Sequence, residues 1–384
     1  MEGWLFSKKV VLNFLIEGWI DMDWVYNVPI KFFEYDLVGL KSRLSEFNNH
    51  DVLFIGSKRL INSFDLNVSS FQVIDESLAN PNIHLVKEIL EKIERPELII
   101  AVGGGSSIDL AKAISALYEY KDEDVLDLLK SKKYLNNSNP IPFIAVPTTA
   151  GTGSECTKWA TIWDFDNFKK YSADAEFLYP LESWLVPELT ETMNAKMTLA
   201  TGLDALAHAM ESYWSVPSNS YTRVLARNSI NIIHKYLPLV LEDLNNLEYR
   251  KQMLMGSFFA GLAFSNTRTT ACHSISYPLT MLFNINHGFA AAVTLYEVLY
   301  RNWDYLKEKD LFLKAFEAND LDDIKDWFEN VSKDIQDLKL SSFNIKKEDI
   351  PGIVELATTG GRMDNNPINF NDKEIEDILN NVFE

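Results

Sequence analysis

The sequence predicts an α/β N-terminal domain on a parallel, doubly wound sheet, followed by an all-α C-terminal domain. Two observations carry that reading. From about Asp51 to Val146, short β-rich runs alternate with helical stretches, the order that parallel strands with helical crossovers require. After about Pro187 the β-rich runs give way to helical periodicity. A chain of 384 residues is long enough for two domains that each bury most of their apolar surface. The expected division is 1–186 and 187–384.

In chain order, residues 52–55 and 71–74 read as strands, 83–93 as an amphipathic helix, 98–102 as a strand, 108–120 as a helix and 141–146 as a strand. The second half offers helices at 195–214, 221–241 and 252–264. The Asp- and Lys-rich stretch 307–349 reads as solvated helix faces, and there is no internal repeat or low-complexity linker.

Composition narrows the function. Hydrophobic residues make up 47% and charged residues 24%, an ordinary soluble balance with no apolar run long enough to span a bilayer. The short apolar run 10–15 is followed by Glu17, Asp21 and Asp23, so it lacks the flanks of a signal peptide, and a cytoplasmic protein is expected. A net charge of −19 repels a phosphate backbone, which argues against nucleic acid as a partner. Cys156 and Cys272 are too few for a disulfide framework or a thiolate zinc site.

Two loops carry the first chemical signal. The strand at 98–102 runs into Gly103, Gly104 and Gly105, and a helix begins near Ser106. Three glycines let the backbone approach a ligand, and the helix points free N–H groups at it, an arrangement suited to a pyrophosphate. Asp109 stands where the Rossmann fingerprint has its third small residue. The strand at 141–146 ends in a similar loop, where Thr148, Thr149, Thr152 and Ser154 can meet phosphate, ribose or carboxamide groups. Each loop alone is also explained as a tight connection or a helix cap. Together, at the carboxyl ends of parallel strands, they favour a dinucleotide such as NAD(P)H.

The second signal is a set of metal-ligand candidates. Asp204 and His208 stand four apart in an apolar helix, on one face and one turn apart. In isolation such a pair is more often a buried hydrogen bond. His273 and His287 lie in further apolar, charge-poor segments, whereas His50, His84 and His234 have polar surroundings. Three imidazoles and a carboxylate suit Fe²⁺, Zn²⁺, Co²⁺ or Mn²⁺ and leave room for a substrate oxygen; spacing does not choose among the metals.

These motifs, at residues 103–112, 147–155 and 202–213 and in the 14-residue step from His273 to His287, resemble the iron-containing, group III alcohol dehydrogenase family over nearly the whole chain. The resemblance implies a dinucleotide domain, a helical metal domain and an active site between them. It implies Asp204, His208, His273 and His287 as ligands of a divalent metal, Fe²⁺ before Zn²⁺. It also implies a cofactor site of Asn80, Gly104, Gly105, Ser106, Asp109, Thr148, Thr149 and Lys170.

The sequence departs from the family at two places. Tyr277 replaces a histidine common one turn after the first helical ligand, which leaves water, a ribose hydroxyl or Tyr277 as the source of the proton. After the first strand the chain reads Ser57, Lys58 and Arg59 where NAD-preferring members carry an aspartate, and that set tolerates NADPH.

Within the family, segments 158–164, 169–172 and 267–280 look most like phosphonoacetaldehyde reductases. That match implies a small anionic aldehyde as substrate, with Arg268 as the head-group residue and Lys158 and Arg362 assisting. The structural alternative for all three cations is pairing with one of the chain's many carboxylates. Sulfoacetaldehyde, lactaldehyde or a sugar-acid alcohol remain alternatives, as does a dehydroquinate-synthase-like lyase, and self-association as a homodimer is an option.

Overall fold

The computed structural model describes residues 29–48, 50–57, 71–74, 81–167, 169–358 and 362–384. Six strands form one parallel sheet in the order β1-β8-β5-β4-β2-β3. They are β1 (Lys31–Glu34), β2 (Val52–Gly56), β3 (Phe71–Ile74), β4 (Leu98–Gly103), β5 (Phe143–Pro147) and β8 (Glu182–Leu185). Helices α1 (Leu37–Ser45), α2 (Ile83–Lys92), α3 (Gly105–Leu117) and α4 (Val125–Ser131) complete the layers.

Strand alternation shows the double winding directly. Leu53, Ile55, Ile99, Ala101, Phe143 and Ala145 pack with α2, α3 and α4. Their neighbours Val52, Phe54, Ile100, Val102, Ile144 and Val146 pack on the other face with Leu40 and Leu44 of α1. Strands covered on both faces read as continuous apolar runs, which is why the sequence announces them.

Besides α1 and α4, two strands and a hairpin go beyond the expectation. β1 is an exposed edge strand with no buried run, and β8 spans only four residues, with Ser183, Trp184 and Leu185 buried. An antiparallel hairpin, β6 (Trp159–Asp164) and β7 (Lys169–Asp174), stands apart from the main sheet.

The remainder is helical, built around α5 (Ala195–Trp214), α6 (Ser220–Glu242), α7 (Leu247–Thr267), α8 (Ala271–Phe283) and α9 (His287–Ala292). Asn194 caps α5, its side chain accepting from Met197 N at 2.9 Å. From Leu203 to Trp214 every residue of α5 is buried, so this helix forms the centre of the domain rather than a surface. Short helices α10 (Leu295–Asn302), α11 (Lys309–Ala315), α12 (Leu321–Ser332), α13 (Ile350–Ala357) and α14 (Asp372–Asn381) close around it. No helix among the described residues is long and apolar enough to cross a membrane.

Candidate active site

Parallel pairing sets the position of the cleft. Gly103 pairs with Pro147 at the carboxyl ends of β4 and β5, and Thr148 N donates to Gly103 O at 2.9 Å. The two glycine- and hydroxyl-rich loops therefore open side by side. Helix α3 starts at Gly105, after Gly104 in extended geometry with no side-chain cap, so its first-turn amides are not capped by the preceding side chain. A Cβ on Gly104 would meet only Thr149, at 3.4 Å, whereas one on Gly105 would press within 2.7 Å of Thr152. Gly105 is thus required for loop packing, while Gly104 keeps a cradle open.

Asp109 and Lys112, one turn apart on α3, hold that geometry. The Asp109 carboxylate accepts from Ser154 Oγ at 2.5 Å and from Thr161 N at 2.8 Å. The Lys112 ammonium donates to Ser154 O at 2.6 Å and to Ser154 Oγ, Thr157 Oγ1 and Trp159 O, each at 3.0 Å. Burial lowers Lys112 to about 8 and raises Asp109. Asp109 lines the cleft, but both its oxygens are engaged within the protein. Ser57 follows β2, exposed, near the same edge of the sheet; Asn80, Lys58 and Arg59 lie outside the described residues.

The helical half brings the four metal-ligand candidates to the opposite wall. Donor atoms of Asp204, His208 and His273, all buried, lie within 4.8 Å of one another. Asp204 Oδ1 is 3.6 Å from His273 Nε2 and 4.0 Å from His287 Nε2. His287 reaches this place because α9 touches α5: a Cβ on Gly288 would fall 1.9 Å from Ala200 O, so only glycine permits the approach.

Asp204 Oδ1 and His273 Nε2 are buried without a hydrogen-bond partner among the described residues. Two such groups facing each other are costly unless a further partner joins them, and a divalent ion fits this donor set. His208 Nδ1 lies 3.2 Å from Gly151 O, which turns its other nitrogen to the cluster. Burial lowers His208 to about 4 and His287 to about 3, leaving both rings neutral and able to ligate. Burial alone would raise the Asp204 carboxyl, but the surrounding imidazoles hold it well below the usual range.

Sequence reading missed Glu211, a fully buried carboxylate against His273 Nδ1. Its signal was present: 204, 208 and 211 share one helix face, and Glu211 is a charge in an apolar run.

The hairpin roofs the cleft. Thr157, Trp159, Thr161 and Trp163 line it, as do Lys170, Ser172 and Asp174, while Ile162 and Ala173 join the sheet core. This alternation corrects the expectation for Lys158. By parity it falls on the other face, its ammonium pairs with Glu176, and it does not line the cleft.

Arg268 does line the cleft, but its guanidinium pairs with Asp174 and its side chain is 55% exposed. Deeper in, Tyr277 stacks nearly parallel to His287, ring centroids 6.4 Å apart. The Lys170 ammonium lies 4.0 Å and the Arg362 guanidinium 4.7 Å from the Tyr277 ring centre. Arg362 Nε also donates to Thr269 Oγ1 at 3.2 Å. Neither Lys170 nor Arg362 has a carboxylate partner among the described residues. Burial, reinforced by Arg362, holds Lys170 well below its ordinary pKa, and burial pushes the Tyr277 phenol up to about 12.

Known proteins resemble this chain in sequence and fold. The family model described as iron-containing alcohol dehydrogenase matches residues 30–183, and the model of the family's C-terminal part matches residues 198–383. The NADPH-dependent butanol dehydrogenase of Clostridium saccharobutylicum is 30% identical over 77% of this chain and 79% of its own. The choline dehydrogenase of Bacillus subtilis is 31% identical over 79% and 78%. The crystal structure of sulfoacetaldehyde reductase from Bifidobacterium kashiwanohense in complex with NAD+ superposes with a TM-score of 0.82 at 26% identity, covering 94% of this chain and 99% of that one.

Proposed function

This chain belongs to the iron-containing alcohol dehydrogenase family, and on that premise we propose that it reduces a small aldehyde bearing an anionic head group. The leading candidate is phosphonoacetaldehyde, reduced to 2-hydroxyethylphosphonate. The balanced reaction takes aldehyde, NAD(P)H and a proton to alcohol and NAD(P)+.

One observation carries the choice of substrate: Lys170 and Arg362, without carboxylate partners among the described residues, flank a tyrosine stacked on a metal-ligand candidate. Two cations in a desolvated cleft repel each other, as the lowered Lys170 reflects; an anion between them relieves that repulsion. A head group there would stand beside Tyr277, whose ring stacks on His287. Similarity to a sulfoacetaldehyde reductase supports an anionic aldehyde as the class.

When bound, a divalent ion supplies Lewis acidity toward a carbonyl oxygen and a reduced nicotinamide supplies hydride. Asp204, His208, His273 and His287 would hold the ion. The rings of Phe264 and Trp159 narrow the approach to it, Phe264 stacking on His208 at 4.2 Å between centroids. Tyr277 keeps its phenolic proton through the neutral range and offers it to an oxygen that gains charge. Gly104, Ser106 and the Thr148–Thr149 loop would take the cofactor's phosphates and ribose. Ser57 presents a hydroxyl where a carboxylate would exclude a 2′-phosphate, which supports NADPH as well as NADH.

The test is NADH and NADPH oxidation with phosphonoacetaldehyde, sulfoacetaldehyde, lactaldehyde and butanal. Highest kcat/KM for an anionic aldehyde is expected. A clear preference for butanal would remove the head-group reading and leave the dehydrogenase.

A further inference from the structure

We infer that Glu211 is a positioning residue for the metal centre, fixing the tautomer of His273 and supplying the second negative charge that balances a divalent ion. Glu211 lies on α5, seven residues after Asp204 and three after His208, with no exposed surface. Four donors converge on its carboxylate. Thr270 N and Thr270 Oγ1 reach Oε1 at 3.0 and 2.8 Å, His273 N reaches Oε1 at 3.2 Å, and His273 Nδ1 contacts Oε2. It therefore anchors the first turn of α8 and the side chain of the ligand that this turn carries.

An ionised carboxylate only accepts hydrogen bonds, so Nδ1 of His273 carries hydrogen toward Glu211 and Nε2 is the nitrogen left to face a metal ion. Nε2 is the buried atom that faces Asp204 and has no partner among the described residues. Charge points the same way. Asp204 and Glu211 together carry two negative charges beside three imidazoles, so a divalent ion makes the buried cluster neutral, whereas a single carboxylate leaves it positive. A role confined to capping α8 needs an acceptor but not a charge, and that difference separates the two roles.

The inference rests on the metal-centre reading, and its test keeps the two apart. Full-length protein is stripped of metal and titrated with Co²⁺, followed by the visible ligand-field bands, as unmodified chain and as Glu211→Gln. Glutamine retains an acceptor for the α8 amides and removes the charge. The expected result is Co²⁺ affinity weaker by about 10- to 100-fold, with altered bands and a metal-free melting temperature within a few degrees of the parent. Affinity within about twofold of the parent overturns the role of Glu211 alone. No Co²⁺ binding by the unmodified chain overturns the metal centre and this inference with it. Should Glu211→Gln fail to fold, Glu211→Asp decides, because the shorter side chain withdraws the carboxylate from His273 Nδ1 and from the metal cluster. Loss of several-fold in Co²⁺ affinity supports the inference, and unchanged affinity overturns it.

Discussion

Replacing Arg362 by methionine keeps an apolar stem over Tyr277 and removes the charge that the proposed head group requires. Arg362 lines the cleft, half-buried and without a carboxylate partner among the described residues, so its contact with an anion is a partly desolvated, charge-assisted hydrogen bond. Such a bond contributes about 1.5–3 kcal/mol, which at about 1.4 kcal/mol per factor of ten lowers kcat/KM for phosphonoacetaldehyde by about 10- to 150-fold. Arg268 is the internal comparison. Its side chain is 55% exposed and already paired with Asp174, and exposed pairs contribute about 0–1 kcal/mol. Arg268→Met is therefore expected to cost less than about fivefold on the same substrate. Butanal, with no head group, should be reduced at parental efficiency by both variants. The assay is steady-state NADPH oxidation with both aldehydes on metal-loaded protein. Equal losses on the two substrates, or a larger loss from Arg268 than from Arg362, would refute the reasoning.

Further consequences concern the cofactor loop, a buried acid and the cation pair. Gly104→Ala adds a methyl that the protein tolerates, with only Thr149 nearby at 3.4 Å. It should weaken NADPH in fluorescence titration while leaving the melting temperature unchanged, and unaltered affinity would place the cofactor elsewhere. Burial raises Glu155 from 4.5 to about 7 against the opposing pull of Lys112, so the folded state holds this proton more tightly than the unfolded chain between those values. The associated stability is lost as pH rises toward 7. Glu155→Gln should thus gain melting temperature relative to the parent between pH 5 and pH 8, and a pH-independent difference would contradict the assignment. Because an anion should raise the lowered Lys170, binding of 2-hydroxyethanesulfonate, whose own charge is fixed, should take up protons in calorimetry across buffers of different ionisation enthalpy. Lys170→Met should abolish that uptake, and its persistence in the variant would assign it to another group.

What the sequence disclosed depended on how locally each feature is determined. The strands at 52–55, 98–102 and 141–146 were legible because both faces are covered, and α5 matched the expected 195–214 span because its apolar pattern is uninterrupted. β1 was not, since its four exposed residues owe their extension to pairing with β8, about 150 residues away. Glycine and hydroxyl content marked the two loops, but their side-by-side position required the parallel register of β4 and β5. The fates of Lys158 and Arg268 could not be read locally. One depends on the parity of an unforeseen hairpin, and the other on Asp174, 94 residues earlier in the chain. Glu211 was within reach, since its spacing from Asp204 and His208 follows one helix face.

Everything proposed for the cleft requires that Asp204, His208, His273 and His287 hold a metal on which aldehyde reduction depends. The direct measurement is metal content and NADPH-dependent phosphonoacetaldehyde reduction before chelation, after chelation, and after reloading with Fe²⁺ or Zn²⁺, on the parent and on His273→Ala. The parent should lose activity with its metal and recover it on reloading, while His273→Ala should stay folded, retain little metal and remain inactive. Full activity in the stripped parent, or full metal and turnover in His273→Ala, would contradict the account.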